Sequence, residues 1–151
     1  MRNPGESAGR ILIVDDDHES LELLRRLLSS KDYDVSVESN PVDAVERMKK
    51  ERFAVVLTDI VMPEMTGLEV LKSVMEANRA TQVILMTGFS TMDKVIDAYS
   101  LGASDYLFKP FEDLDEVVEA VGNAVYRYRR WFRAIKKALS FAAKEAQTKK
   151  E

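Results

Sequence analysis

The sequence has no cysteine, a single histidine and no long hydrophobic run. Without cysteine the chain can form no disulfide, no thiolate nucleophile and no cysteine-ligated metal centre. With His18 as its only histidine it cannot build a multi-histidine metal site, and the serine elbow that a hydrolase triad needs is missing. No apolar run reaches the roughly 20 residues that span a bilayer. The chemistry left to this chain rests on carboxylates, lysine and hydroxyl groups.

The chain divides by charge into an acidic body and a basic tail. Its 151 residues, 46% hydrophobic and 32% charged, fit one ordinary domain with a short appendage. Residues 127–151 carry nine basic and two acidic side chains, whereas residues 1–126 carry 13 basic and 24 acidic ones. Residues 1–8 lack the apolar core of a secretory signal, so we expect them to be the flexible N-terminus of a cytoplasmic protein.

Five short stretches with strand patterns alternate with stretches of helical periodicity. The predicted β-strands are residues 10–14, 34–38, where valines alternate with polar residues, 53–57, 82–86 and 105–108. The helical stretches are residues 18–29, a second that begins at Asn40-Pro41 and should bury Val42, Val45 and Met48, a third after Gly67, and residues 91–101 closed by Gly102. The alternation predicts an α/β fold. We expect a doubly wound five-stranded parallel sheet of flavodoxin-like order 2-1-3-4-5 with an extended C-terminal helix.

Chargeable groups collect where the predicted strands end. Sites in such sheets form outside the carboxyl ends of the strands. A cluster of carboxylates without histidine or cysteine suits a hard cation such as Mg²⁺, and a carboxylate flanked by that ion, an ammonium and a hydroxyl can attack a phosphoryl group. We expect Asp17 to cap a helix rather than to bind metal. The groups at the strand ends are Asp15, Asp16, Asp17, Asp59, Thr87 and Lys109.

Four motifs resemble those of the bacterial response-regulator receiver domain. They follow one another in the family's order and at its spacing over residues 9–126, which we expect to be the domain. The motifs are Val14-Asp15-Asp16, Thr58-Asp59-Ile60-Val61-Met62-Pro63 with Gly67, Met86-Thr87-Gly88, and Tyr106-Leu107-Phe108-Lys109-Pro110.

The resemblance implies a phosphorylation-dependent signalling switch of a two-component system, not a turnover enzyme. It implies that Asp59 accepts a phosphoryl group from a sensor histidine kinase or a phosphotransfer protein. It further implies that Mg²⁺ is held by the carboxylates of Asp15, Asp16 and Asp59 and by the backbone carbonyl of Val61.

The same resemblance assigns roles to the groups around the phosphoacceptor. Lys109, joined to the proline after it by a cis bond as in the family, would pair with the phosphoryl oxygens. Thr87 and Tyr106 would form the switch pair, whose hydroxyl moves toward the phosphoryl group while the ring turns inward. Val61 and Phe89 offer no hydrogen bond to an attacking water, so we expect a long-lived aspartyl phosphate.

The tail carries a heptad seam that predicts one helix over about residues 111–147. Its second half should present Tyr128, Trp131, Phe132, Ile135 and Leu139 to water unless something covers them. Residues 127–151 are therefore either a dimerisation helix, which would make the chain a homodimer, or a connector to a domain outside this chain. The seam residues are Val118, Val121, Val125, Tyr128, Phe132, Ile135, Leu139, Ala142 and Ala146.

The basic residues of the tail permit contact with nucleic acid or with a membrane surface, although such residues more often form the solvated flank of a coiled coil. No helix-turn-helix pattern is present, so we expect no DNA-binding domain and no nucleic-acid partner in this chain.

Two other functions compete with the receiver interpretation. Residues 15–17 contain the D-x-D of aspartate-nucleophile phosphohydrolases, but His18-Glu19-Ser20 does not match that family. A flavin-binding electron carrier shares the architecture but needs a hydroxyl- and glycine-rich loop where this chain has acid. The chain could also be the receiver fragment of a larger protein.

Overall fold

Strands and helices alternate along the whole of the computed structural model, which describes residues 9–88 and 93–150. The strands are β1 (Arg10–Val14), β2 (Asp34–Glu38), β3 (Val55–Asp59), β4 (Gln82–Thr87) and β5 (Asp105–Phe108). The helices are α1 (His18–Ser29), α2 (Pro41–Lys50), α3 (Gly67–Ala77), α4 (Val95–Ser100) and α5 (Leu114–Thr148). All strands pair in parallel in the order β2-β1-β3-β4-β5, so the predicted fold, strand order and long C-terminal helix are confirmed.

Helices cover both faces of the sheet. On one face Ile11 and Ile13 of β1 pack with α1 and α5, and on the other Leu12 and Val14 pack with α2, α3 and α4. All four side chains are fully buried. A strand that is covered on both faces needs apolar residues at every position. This requirement explains why the central strands read as continuous apolar runs rather than as alternating patterns.

Side-chain caps set the first residue of four helices, one of which is α5, where Asp113 accepts a hydrogen bond of 2.9 Å from the backbone N–H of Asp115. Asp17 accepts a hydrogen bond of 3.1 Å from a backbone N–H in the first turn of α1, as predicted. Asn40 accepts one of 2.8 Å from the backbone N–H of Val42 at the start of α2. Thr66 and Glu69 form a reciprocal capping box at the start of α3. Each cap ends the loop that follows a strand, so the caps fix where the chain leaves the sheet.

The third strand begins two residues later than predicted. Phe53 lies before β3, yet its ring is buried. The guanidinium carbons of Arg10 and Arg47 lie 4.8 Å and 5.6 Å from the centroid of that ring. Phe53 therefore contributes its ring to the core at the amino end of the sheet, beside two arginines, although it does not belong to a strand.

The buried face of α2 also differs from the prediction. Pro41 and Ala44 are its buried residues, whereas Val42 is 39% exposed, so its assignment to the core is wrong. Val45 and Met48 are half-buried against the core. The predicted start of the fourth helix at residue 91 and the flexible terminus predicted for residues 1–8 lie outside the described residues.

The long helix α5 packs on the body farther than predicted. Tyr128 is only 3% exposed, and Phe132 packs against the core. The two rings stack with centroids 5.8 Å apart, and the guanidinium carbon of Arg52 lies 5.4 Å from the centroid of Phe132. The prediction that Tyr128 and Phe132 face water is therefore wrong. Within the described residues, no helix has the length and apolar content required to cross a bilayer.

Candidate metal centre at the carboxyl edge of the sheet

Three carboxylates meet at the carboxyl edge of the sheet. Asp15 and Asp16 follow β1, and Asp59 is the last residue of β3. One oxygen from each carboxylate lies within 4.8 Å of the others. Because β1 and β3 are hydrogen-bonded neighbours in parallel register, their ends bring these residues together. An all-oxygen donor set of this size fits a hard divalent cation such as Mg²⁺.

An ammonium group joins two of the three carboxylates. Lys109, which directly follows β5, donates a hydrogen bond to Asp15, and its Nζ lies 3.1 Å from Oδ2 of Asp59. The backbone N–H of Lys109 donates to the carbonyl of Thr87 at 2.8 Å, which ties the lysine to the end of β4. The bond between Lys109 and Pro110 is cis, as predicted. Lys109, at the end of β5, is thus held against two acids that lie at the ends of β1 and β3.

Burial and neighbouring charges together set the pKa values of Asp15 and Lys109. Asp15 is fully buried, and that burial raises the pKa of its carboxyl, although the hydrogen bond from Lys109 acts in the opposite direction. Burial also disfavours the Lys109 ammonium, but its bonds to Asp15 and the charges of Asp15 and Asp59 outweigh burial and raise the pKa of Lys109. The lysine therefore stays protonated. One ammonium against three acids leaves the site short of positive charge, which favours a bound cation.

The neighbouring residues take different positions. The carboxylate of Asp17 caps α1, and its hydrogen bond from the hydroxyl of Ser20 lowers the pKa of Asp17. Its backbone N–H donates to Oδ1 of Asp15 at 3.0 Å. Val61 is 59% exposed, and its N–H donates to Oδ1 of Asp59 at 3.3 Å. The loop after β3 thus orients the Asp59 carboxylate from the backbone.

The two residues of the predicted switch pair lie in opposite environments. Thr87 is 1% exposed, and its Oγ1 has no hydrogen-bond partner among the described residues. Tyr106 is 46% exposed, and its ring meets that of Phe108 edge-on at 5.2 Å. Phe89, predicted to leave an attacking water unpositioned, lies outside the described residues.

Gly67 has a positioning role that sequence reasoning missed. A Cβ built at this position would lie 2.1 Å from the backbone oxygen of Asp59 and 2.8 Å from Cα of Ile60. The N–H of Gly67 donates to the carbonyl of Ile60 at 2.8 Å. The start of α3 therefore rests directly on the end of β3, and only glycine fits. The glycine is visible in the sequence as part of a motif, but nothing in the sequence shows which backbone approaches it.

Comparison with known proteins identifies the family of this chain. Residues 11–122 match the family model described as the response regulator receiver domain. The chain belongs to this family. Receiver domains are signalling modules of two-component systems rather than typical enzymes, and the match does not favour the phosphohydrolase alternative.

The curated relatives are longer proteins, and this chain matches only a part of each. The chain is 37% identical over 119 residues to the transcriptional regulatory protein ZraR of Klebsiella oxytoca, a match that covers 79% of this chain and 27% of that protein. The chain spans about a quarter of the length of the curated relatives it matches. A receiver domain protein of Clostridium thermocellum has a TM-score of 0.77 and 27% identity over 82% of this chain and 98% of that one. A beryllofluoride-activated NtrC4 receiver domain dimer has a TM-score of 0.74 and 26% identity over 79% and 98%.

Proposed function

We propose that the receiver accepts a phosphoryl group on Asp59 from a sensor histidine kinase or a phosphotransfer protein. The observation that carries this proposal is the position of Lys109, whose ammonium contacts both Asp15 and Asp59. The side chain of Asp59 is 15% exposed, whereas that of Asp15 is fully buried. Of these two acids held by the lysine, Asp59 is therefore the one that an incoming phosphoryl group can reach.

The transfer needs a nucleophile, a leaving group and compensation of charge. A carboxylate oxygen of Asp59 attacks the phosphorus of a phosphohistidine. The P–N bond breaks as the O–P bond forms, and the imidazole nitrogen keeps the electron pair and takes a proton from solvent. Lys109 holds its positive charge next to the oxygen that receives the phosphoryl group.

The acids at the edge fit a Mg²⁺ site. Asp15, Asp16 and Asp59 would supply carboxylate oxygens, and Val61 its backbone carbonyl. When bound, Mg²⁺ would supply positive charge that offsets repulsion between the acids and the phosphoryl oxygens. Asp17 is excluded from this set because its carboxylate caps α1.

The unpartnered hydroxyl of Thr87 supplies the response to phosphorylation. A buried hydroxyl without a partner costs free energy, and a phosphoryl oxygen on Asp59 would be an acceptor for it. Movement of Thr87 toward that acceptor opens space beside β5, into which the exposed ring of Tyr106 can turn. Phosphorylation thereby changes the outer surface formed by α4 and β5.

Phosphoryl labelling tests the proposal. We expect acetyl phosphate with Mg²⁺ to label one site and Asp59→Asn to abolish most of the labelling. The matched control is Asp17→Asn, which removes an acid of the neighbouring loop after β1 and should leave labelling intact. In metal titrations, Asp16→Ala should weaken Mg²⁺ binding more than Asp17→Ala does. Labelling that survives in Asp59→Asn would contradict the assignment.

We further propose that two chains associate through the α4–β5 surface of the receiver. Ile96 and Tyr99 of α4 are 74% and 82% exposed, beside the exposed Tyr106. Nearly the whole NtrC4 receiver, whose structure is described as a dimer, aligns with four-fifths of this chain. Sedimentation with and without beryllofluoride tests this: Tyr99→Ser should weaken the dimer and Leu139→Ser should not. The reverse result would support the pairing of two α5 helices. That pairing remains a prediction. The absence of a DNA-binding domain also remains a prediction.

A further inference from the structure

The outer part of α5, residues 129–148, extends past the body of the receiver. Here we call it the distal helix. Apart from Phe132, which is partly buried, every residue of the distal helix is exposed. Its large exposed apolar residues are Trp131 at 59%, Ile135 at 47%, Leu139 at 67% and Phe141 at 57%. The receiver site uses none of them.

The apolar residues of the distal helix form one broad face. At about 100° per residue, the arc from Phe141 through Trp131 and Ile135 to Leu139 spans about 160°. Ala134, Ala138 and Ala142 lie within the same arc. A two-stranded coiled coil buries only the narrower seam of alternating three- and four-residue steps, which leaves Trp131 and Phe141 outside. The seam residues where the distal helix leaves the body, Tyr128 and Phe132, already pack in or against the chain's own core.

The opposite face of the distal helix is basic. Between residues 127 and 144 the sequence contains no acidic residue; the one acid of the distal helix, Glu145, follows that stretch and lies within the apolar arc, about 40° from Trp131. None of its basic side chains forms an ion pair with a described residue. The six basic residues are Arg129, Arg130, Arg133, Lys136, Lys137 and Lys144. Their positions cover an arc of about 120° on the side away from Ile135.

We propose that the distal helix binds the surface of an anionic lipid membrane. A helix with tryptophan, phenylalanine and leucine on one face and unpaired cations on the other lies in the plane of a membrane interface, with its apolar face in the acyl boundary and its cations at the headgroups. The broad apolar arc favours this partner over nucleic acid, because phosphate contacts would leave Ile135 and Leu139 exposed to water. The acidic receiver body would be repelled from the same surface and would face away from it.

The single tryptophan of the chain provides a direct probe, because Trp131 lies on the proposed lipid face. The full chain is mixed with vesicles of phosphatidylglycerol and phosphatidylcholine in equal parts, and in parallel with vesicles of phosphatidylcholine alone. Trp131 emission should shift to shorter wavelength, and the protein should sediment, only with the anionic vesicles. Both effects should weaken as salt is raised, since surface attraction is screened within a Debye length.

Full-chain variants separate the contributions of the two faces. Ile135→Ser with Leu139→Ser should abolish vesicle binding. Lys136→Gln with Lys137→Gln should weaken it by about 10-fold or more. The matched control, Lys50→Gln with Lys72→Gln, removes the same charge from exposed positions of α2 and α3 and should change binding little.

Three outcomes would overturn the proposal. No emission shift with anionic vesicles would do so, as would a shift that follows protein concentration without vesicles and therefore reports pairing of two helices. A DNA duplex that binds as tightly as the vesicles do would assign the basic face to nucleic acid if the Ile135→Ser and Leu139→Ser variant binds both the duplex and the vesicles as tightly as the parent does. Asp59→Asn should keep vesicle binding, so that a failure of the phosphoacceptor assignment is recognised separately.

Discussion

At the scale of single residues, this receiver combines one group that is held in place with one that is left unpartnered. Lys109 is bonded to two carboxylates, whereas the buried hydroxyl of Thr87 has no partner among the described residues. The first arrangement fixes the geometry around Asp59. The second is unfavourable until an acceptor arrives, and under the proposed mechanism a phosphoryl oxygen on Asp59 is that acceptor.

Two buried threonines should respond oppositely to the same substitution. Thr87→Val removes an unpartnered hydroxyl and should stabilise the unphosphorylated chain by about 1 kcal/mol. Thr81 is the matched control, since its Oγ1 donates to the carbonyl of Phe53 at 2.7 Å, and Thr81→Val should destabilise by about 1 kcal/mol. Urea unfolding measures both values. Equal losses in the two variants would show that the Thr87 hydroxyl is satisfied in the resting state.

Substitution by alanine should have opposite effects on stability at Gly67, the first residue of α3, and at Gly122, inside α5. Gly67→Ala places a methyl group against the backbone of Asp59 and should cost about 3 kcal/mol while impairing Mg²⁺ binding. At Gly122, inside α5, the nearest atom to an added Cβ is the hydroxyl of Tyr33 at 3.9 Å. Gly122→Ala should therefore stabilise by about 0.5–1 kcal/mol. Thermal unfolding and metal titration of both variants test this, and a tolerated Gly67→Ala would contradict the close approach.

At the scale of secondary-structure elements, α5 has two parts with different partners. Its first part buries Val117, Val121 and Val125 against the sheet, and Tyr128 and Phe132 continue that contact with the core. Arg127 adds a hydrogen bond of 3.3 Å to the side chain of Gln82 at the start of β4. The helix is therefore anchored to the amino end of the sheet, and the distal helix leaves the body from a fixed base.

Shortening single side chains along α5 should reveal where its packing against the body ends. Tyr128→Ala removes a buried ring and should destabilise the chain by about 3 kcal/mol. Leu139→Ala removes a side chain that is 67% exposed and should change stability by less than about 0.5 kcal/mol. Denaturant unfolding distinguishes them. A large loss in Leu139→Ala would show that another chain covers the distal helix in solution.

The end of α2 carries an acid-sensitive ion-pair cluster. The guanidinium of Arg47 and then that of Arg10 lower the pKa of Glu51 from about 4.5 to about 2. A carboxyl whose pKa is lower in the folded chain stabilises it fully above about pH 4.5, and this contribution is lost as the pH falls to about 2. The unfolding free energies of the parent and Glu51→Gln should therefore converge over that interval. Glu76→Gln, which changes an exposed acid without an ion pair to any described residue, is the control.

At the scale of the whole molecule, the sequence predicts the sheet and its acidic edge because both follow from local rules. Apolar runs bounded by helix caps determine the strand and helix positions, and parallel strands bring Asp15, Asp16 and Asp59 to one edge. The burial of the Tyr128 and Phe132 rings could not be predicted in the same way. Periodicity shows that Tyr128 and Phe132 share a helix face, but Arg52, which lies against Phe132, is far away in the sequence.

The same limit explains the errors at Phe53 and Val42. An apolar residue before a strand looks like part of that strand unless the arginines on either side of it are known, and these come from β1 and α2. The rotation of α2 about its axis depends on how closely Ala44 approaches the sheet. Both features are set by packing between elements, which a pattern within one element does not contain.

The most direct test of the account is chemical identification of the phosphorylated residue. Borohydride reduces an aspartyl phosphate to homoserine, and peptide mass mapping then locates the changed position. We expect homoserine at Asp59 alone, and only after incubation with both acetyl phosphate and Mg²⁺. Homoserine at Asp15 or Asp16, or a phosphate ester on a serine or threonine instead, would contradict this expectation.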